Sequence, residues 1–294
     1  MTIGWATALA IPLILLSGTT NANQIYINQI GDNPNITISQ TGKDNAGGIA
    51  IAGDNNVISQ QQTGLHNSIG PISNGVVMGD RNTLAWEQDG QYHQFEGDLT
   101  GSDNTLDSYQ AGNGESNYTR VTVNGETNDL TVWQGKRQNG STDDIEGGDH
   151  DAYWTIIGNN NVAGSYQTDN AVDCCASAHH TANIIVGDLN NVVVRQQSNG
   201  AHMGFVEVQG DNNYVDLTQT GNGSKFADIV LTGDGHSTTN FQGGGGAHSL
   251  ELNLYNGGGA YNVNTDQTSM TNQSYSLSGV CTNTTGCAVS VIQY

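Results

Sequence analysis

Side chains that hydrogen-bond in two directions recur along this chain at a fixed place. Asparagine, five residues, glutamine, one residue and glycine make up Asn56–Gly64, Asn82–Gly90, Asn104–Gly112 and Asn213–Gly221. Relaxed copies occupy Pro34–Gly42, Asn128–Lys136, Asn161–Asp169, Asn190–Ser198, His236–Gly244, Tyr261–Ser269 and Cys287–Tyr294. The glutamines form a series: Gln40, Gln62, Gln88, Gln110, Gln134, Gln167, Gln196, Gln219, Gln242, Gln267 and Gln293. Most successive spacings fall near 22 to 26 residues, with longer gaps before Gln167 and Gln196. A primary amide donates through nitrogen and accepts through oxygen. Amides stacked in register therefore satisfy one another, and the chemistry predicted for this series is structural.

Other reactive groups give weaker patterns. Cys174, Cys175, His179 and His180 have zinc-compatible side chains, but their spacing matches no strong metal motif. In an exported chain the four cysteines favour disulfides over metal. Cys281 and Cys287 flank a short loop that a bond would close; Cys174 and Cys175 form a vicinal pair or find partners elsewhere. The Asp and Asn residues at turns fit no calcium loop. Arg120, Arg195, Glu207 and Asp216 lie on strands without clustering in sequence, so solvated charge is their expected role. An enzyme is the last-ranked reading, and neither metal nor cofactor is expected. Trp86, Tyr109, Trp133 and Tyr166 stand at or just before ladder glutamines; stacking along the axis is expected of them, with glycan or dye binding as the alternative.

The elements that position these residues are short strands. In Gly210–Gly233, Asn213, Val215, Leu217 and Gln219 share one parity, and Tyr214, Asp216 and Thr218 the other. After the turn at Gly221, Ala227, Ile229 and Leu231 form a second one-sided set. One such pair cannot bury its apolar face alone and has to stack on copies of itself. The expected fold is all-β: a β-solenoid of ten to eleven strand–turn–strand rungs over residues 23–294. Asn56, Asn82, Asn104, Asn128, Asn161 and Asn213 join the glutamines as ladder residues. Return strands are expected through Val121 and Val123, Val206 and Val208, Ile229 and Leu231, and Leu250, Leu252 and Leu254. Two insertions, near 136–151 and 169–181, are expected to leave the wall as loops.

Composition agrees with this architecture. Forty glycines and three prolines suit short strands and tight turns, and a hydrophobic content of 35% suits a thin core. With 28 acidic and 7 basic residues the net charge is −21. Such a surface repels phosphates and anionic headgroups, which argues against nucleic acid and membrane surfaces as partners. Residues 1–22 read as a signal peptide, since the apolar run Ala6–Leu16 is too short to span a bilayer and Thr20-Asn21-Ala22 suits cleavage. The run lacks a basic n-region. The mature chain is expected outside the cytoplasm, with no membrane insertion after cleavage.

The pattern resembles the curlin repeat, in which Ser, five residues, Gln, one residue, Gly, two residues, Asn, one residue and Ala recur. Gln40-Thr-Gly42-Lys-Asp-Asn45 keeps its Gln–Gly–Asn portion, and Ile292-Gln293-Tyr294 looks like the end of a curlin subunit. The resemblance spans roughly residues 24 to 294. It departs in the leading Asn, in second strands without a closing Gln, and in having about twice the usual number of rungs. It implies a secreted bacterial subunit of an extracellular amyloid-like fibre serving biofilm matrix, adhesion or surface coating, with secretion and nucleator proteins as further partners.

Both termini read as more rung, Gln24–Ile30 with return-strand parity and Cys287–Gln293 with first-strand parity. Solenoids that stay monomeric usually hide their ends under caps, and none is apparent here. Head-to-tail self-association is expected through Gln24, Ile25 and Ile27 at one end and Val289, Val291, Gln293 and Tyr294 at the other. The alternative is a monomeric secreted solenoid that binds glycan, ice or a receptor.

Overall fold

The computed structural model describes residues 23–69, 76–112, 116–135, 150–168, 178–255, 259–279, 281, 283 and 285–294. The chain is an all-β solenoid of about ten turns, and every strand pairs in parallel with its counterpart one turn away. Its first wall is an eleven-stranded sheet running from Asn35–Lys43 to Cys287–Gln293. The opposite wall begins with an eight-stranded sheet from Gln24–Ile30 to Ile185–Val186. It ends with a three-stranded one made of Lys225–Phe226, His248–Glu251 and Gln273–Ser276.

Strand alternation sets the core. Leu84, Leu106 and Leu130 align in consecutive strands of the first wall and are buried, as are Val192 and Val215 further on. From the other wall Leu99, Val123 and Ile156 are buried in turn. A core one side chain deep from each wall suffices because successive turns cover one another; each fully buried aliphatic side chain contributes about 1.5–3 kcal/mol.

The ladder breaks where return strands were expected through Val206, Val208, Ile229 and Leu231. Those four side chains are buried as predicted, but they lie outside the paired strands. Ile229, Val230, Leu231 and Thr232 all have positive φ, a region that β-branched residues rarely enter. Facing survives there while the hydrogen-bonding direction of the backbone is lost.

The insertions are also shorter at their ends than expected. His150 is buried and Asp151 opens the strand Asp151–Ile157. His179 and Thr181 are buried and Asp151 bridges His180, so 179–181 belong to the wall. The signal-peptide expectation falls on residues 1–22, outside the described residues, as do Cys174 and Cys175.

Candidate functional site

The eleven glutamines all lie in register in the first wall. Each Nε2 donates to the Oε1 of the glutamine in the following turn. From Gln40→Gln62 to Gln267→Gln293 these ten bonds measure 2.6–3.0 Å. They all point the same way, so the ladder has polarity. Several Nε2 groups also donate across the core to the opposite wall, as Gln62 does to Ala46 O at 2.9 Å and Gln134 to Tyr118 O at 3.0 Å. One amide thus ties turn to turn and wall to wall. A buried amide left unpaired costs about 1–3 kcal/mol, a penalty the ladder avoids at every internal turn.

The asparagines hold the first corner. Oδ1 of Asn56, Asn82, Asn104 and Asn128 accepts the main-chain N–H of Asn82, Asn104, Asn128 and Asn161 at 2.9–3.0 Å. Asn161 continues this to Asn190, Asn190 to Asn213, and Asn213 to His236. Each Nδ2 donates to the carbonyl of the next turn's glycine, as Asn56 does to Gly79 and Asn213 to Gly233.

A second corner column, unforeseen as a column, faces this one. Asn45, Asn67, His93, Asn117, His150, His179, His202, Lys225 and His248 follow one another in successive turns and are buried. The rings of His150, His179 and His202 are stacked at centroid spacings of 4.8 Å, parallel within 1°. The Lys225 ammonium donates to the carbonyls of Gly223, Gly244 and Gly246 at 2.6–3.1 Å, and burial lowers its pKa to about 8.

At the ends of the described residues the same cross-section is partly uncovered. Ile25 and Ile27 align with Gly47 and the buried Ile49, yet they are 46% and 38% exposed. The Gln24 carbonyl accepts Gln40 Nε2 at 3.0 Å, which ties the first strand across the core to the second. At the other end Val289 and Val291 align with the buried Val263 and Thr265 and are only partly covered, and Tyr294 is 86% exposed. Gln293 closes that layer by donating to Ser274 O at 3.3 Å. The Cys281–Cys287 disulfide is formed at the start of this last strand.

The remaining candidates separate. His179 is turned into the core, whereas the His180 ring faces Asp151 at 2.9 Å, so these two do not converge on one ion. Arg195 pairs with Asp216 of the next turn at 2.6 Å on the outer face of the first wall, while Arg120 and Glu207 belong to the other wall. Trp86 is buried against Phe95, and Tyr109 meets Trp133 at 4.8 Å. Among the described residues no three His, Cys, Asp or Glu side chains are placed to hold a metal. Comparison with protein-family models, with curated proteins and with solved structures finds no match.

Proposed function

We propose that this chain is a secreted structural subunit that polymerises head to tail into an extracellular fibre by stacking one open solenoid end on the other. The reading rests on the complementarity of those ends. Gln40 Oε1 is buried without a partner, and Gln293 sits where every earlier ladder glutamine donates onward. Placing Cys287–Gln293 on Asn35–Lys43 of the next copy sets Gln293 on Gln40 and Val289 on Ile36. The same step sets Gln273–Ser276 against Gln24–Ile30, with Tyr275 and Leu277 over Ile25 and Ile27. Burying these faces and pairing both edges removes the unpaired backbone groups that make open edges sticky. The fibre's roles in matrix, adhesion or coating, and its dealings with secretion and nucleator proteins, follow from the curlin resemblance.

Negative-stain microscopy of the purified chain from residue 23 tests the reading. Unbranched filaments are expected, and deletion of Gln24–Ile30 abolishes elongation while leaving a folded rod. Monodisperse rods at all concentrations, or filaments from the deletion at the normal rate, overturn it.

A further inference from the structure

We propose that the solenoid carries an acid-released clasp: imidazoles that stand in for amides in turn-to-turn bonds and let go when protonated. The inference concerns the single molecule and holds whether or not the chain polymerises. In both corner columns asparagines accept a main-chain N–H from the next turn. Asn45 does so for Asn67 at 3.1 Å, and Asn56 for Asn82 at 2.9 Å. Histidines take the same place. His93 Nδ1 accepts the N–H of Asn117 at 3.2 Å, and His150 Nδ1 that of His179 at 3.4 Å. His179 Nδ1 accepts from His202 at 3.4 Å and His236 Nδ1 from Tyr261 at 3.0 Å.

The other ring nitrogen completes the imitation. Asn45 and Asn67 donate Nδ2 to the carbonyls of Thr41 and Thr63. His93 and His202 donate Nε2–H to those of Asp89 and Gln197, at 3.2 and 2.9 Å. An Nδ1 that accepts is unprotonated, so His93, His150 and His236 are held neutral. An amide oxygen does not titrate in the physiological range; an imidazole does. A proton on Nδ1 turns the acceptor into a donor facing another donor.

His93 lies between Asn67 and Asn117 beside Asp89, and His150 between Asn117 and His179. His179 lies between His150 and His202, and His202 is followed by the cationic Lys225. The nearby Asp151 is engaged by His180. His236 lies between Asn213 and Tyr261, with Asp234 on the adjoining turn. Burial holds His93 down to about 4. Burial, with the neighbouring imidazoles His179, His180 and His93, holds His150 well below its ordinary value. Burial lowers His236 against the opposing pull of Asp234.

The folded state therefore refuses protons that an opened state accepts near pH 6.5. Below that value the opening constant rises about tenfold per pH unit for each histidine released. The turns held by His93, His150 and His236 open first, and turns held by Asn45, Asn67 and the first-corner asparagines stay closed.

Hydrogen exchange read by mass spectrometry at about pH 7 and about pH 4.5, corrected for intrinsic rate, tests this. Peptides containing the amides of Asn117, His179 and Tyr261 are expected to lose protection in acid, at least about tenfold for Asn117, and those of Asn67, Asn82 and Asn104 to keep it. Combining His93→Asn and His150→Asn is expected to restore protection of the Asn117 and His179 amides in acid. Unchanged protection at the histidine turns, or equal loss in every turn, overturns the proposal; so does a folded double variant as acid-sensitive as the parent. Should that variant fail to fold, the exchange pattern of the parent protein decides alone.

Discussion

Gln40 and Gln293 hold the same register position at opposite ends of the first wall and terminate it with opposite chemistry. Gln40 donates to Gln62 and leaves its own Oε1 buried without a partner. Gln293 accepts from Gln267 and retains donor capacity at the far end. A ladder whose bonds all point one way leaves an acceptor at one end and a donor at the other, so the two ends of one chain are complementary in hydrogen-bonding sense.

That polarity predicts different costs at different rungs. Gln134→Leu removes the acceptor of Gln110 and Thr119 and the donor to Gln167, Tyr118 O and His150 O. With about two buried groups left unsatisfied at 1–3 kcal/mol each, the expected loss is about 2–6 kcal/mol. Gln40→Leu costs less than about 1 kcal/mol by the same reckoning, because Gln62 Oε1 still accepts Gln60 Nε2 at 3.2 Å. Urea midpoints of the two variants measure the difference; equal midpoints contradict a cooperative ladder.

Corner glycines make a second contrast. Gly101 has φ +124°, and a Cβ there would lie 1.8 Å from the carbonyl oxygen of Gly125 in the next turn. Gly235, at φ +73°, would meet nothing closer than Ala260 Cβ at 3.6 Å. Gly101→Ala is expected to prevent folding of its turn. Gly235→Ala should cost only the left-handed penalty of about 1–2 kcal/mol. Circular dichroism melts of both variants check the ranking, and a mild Gly101→Ala phenotype would show that the turns can separate locally.

Lys225 gives a signature in alkali. Burial lowers its folded pKa to about 8, from an ordinary value of 10.5. Between those values the unfolded chain binds more protons than the folded one, so stability rises with pH from about 8 to about 9.5, below the range of tyrosine ionisation. Lys225→Met is expected to remove that rise while lowering stability at neutral pH, since three carbonyls lose their donor. Urea midpoints across the window decide it; an identical slope in the variant assigns the rise to other groups.

The first corner and the ladder were legible because their residue types and spacing persist: Asn or a substitute stands six residues before each Gln. The second corner was not, because insertions enter between the ladder and that column. Asn67 follows Gln62 by 5 residues, Asn117 follows Gln110 by 7, His150 follows Gln134 by 16 and His179 follows Gln167 by 12. Its chemistry also varies among Asn, His and Lys, since any side chain that bonds the turn carbonyls fits. The one signal was the Asn45 of the curlin-like Gln–Gly–Asn match. Alternation gave the facing of Ile229 and Leu231 correctly, but parity carries no information on backbone φ. The ends read as open strands, while the tie between Gln24–Ile30 and the second strand required the Gln40–Gln24 bond.

Cross-linking between copies tests the central claim most directly. In the proposed junction Ser290, on an outward position of the last strand, lies beside Thr37, outward on the first strand of the next copy. With Thr37→Cys and Ser290→Cys in one chain, oxidation of assembled protein should give a ladder of covalent multiples on a denaturing gel. Thr37→Cys with Asn262→Cys, an outward position inside the wall, should give none beyond the parent protein. Monomer alone from the first pair, or equal ladders from both, would contradict head-to-tail stacking in this register.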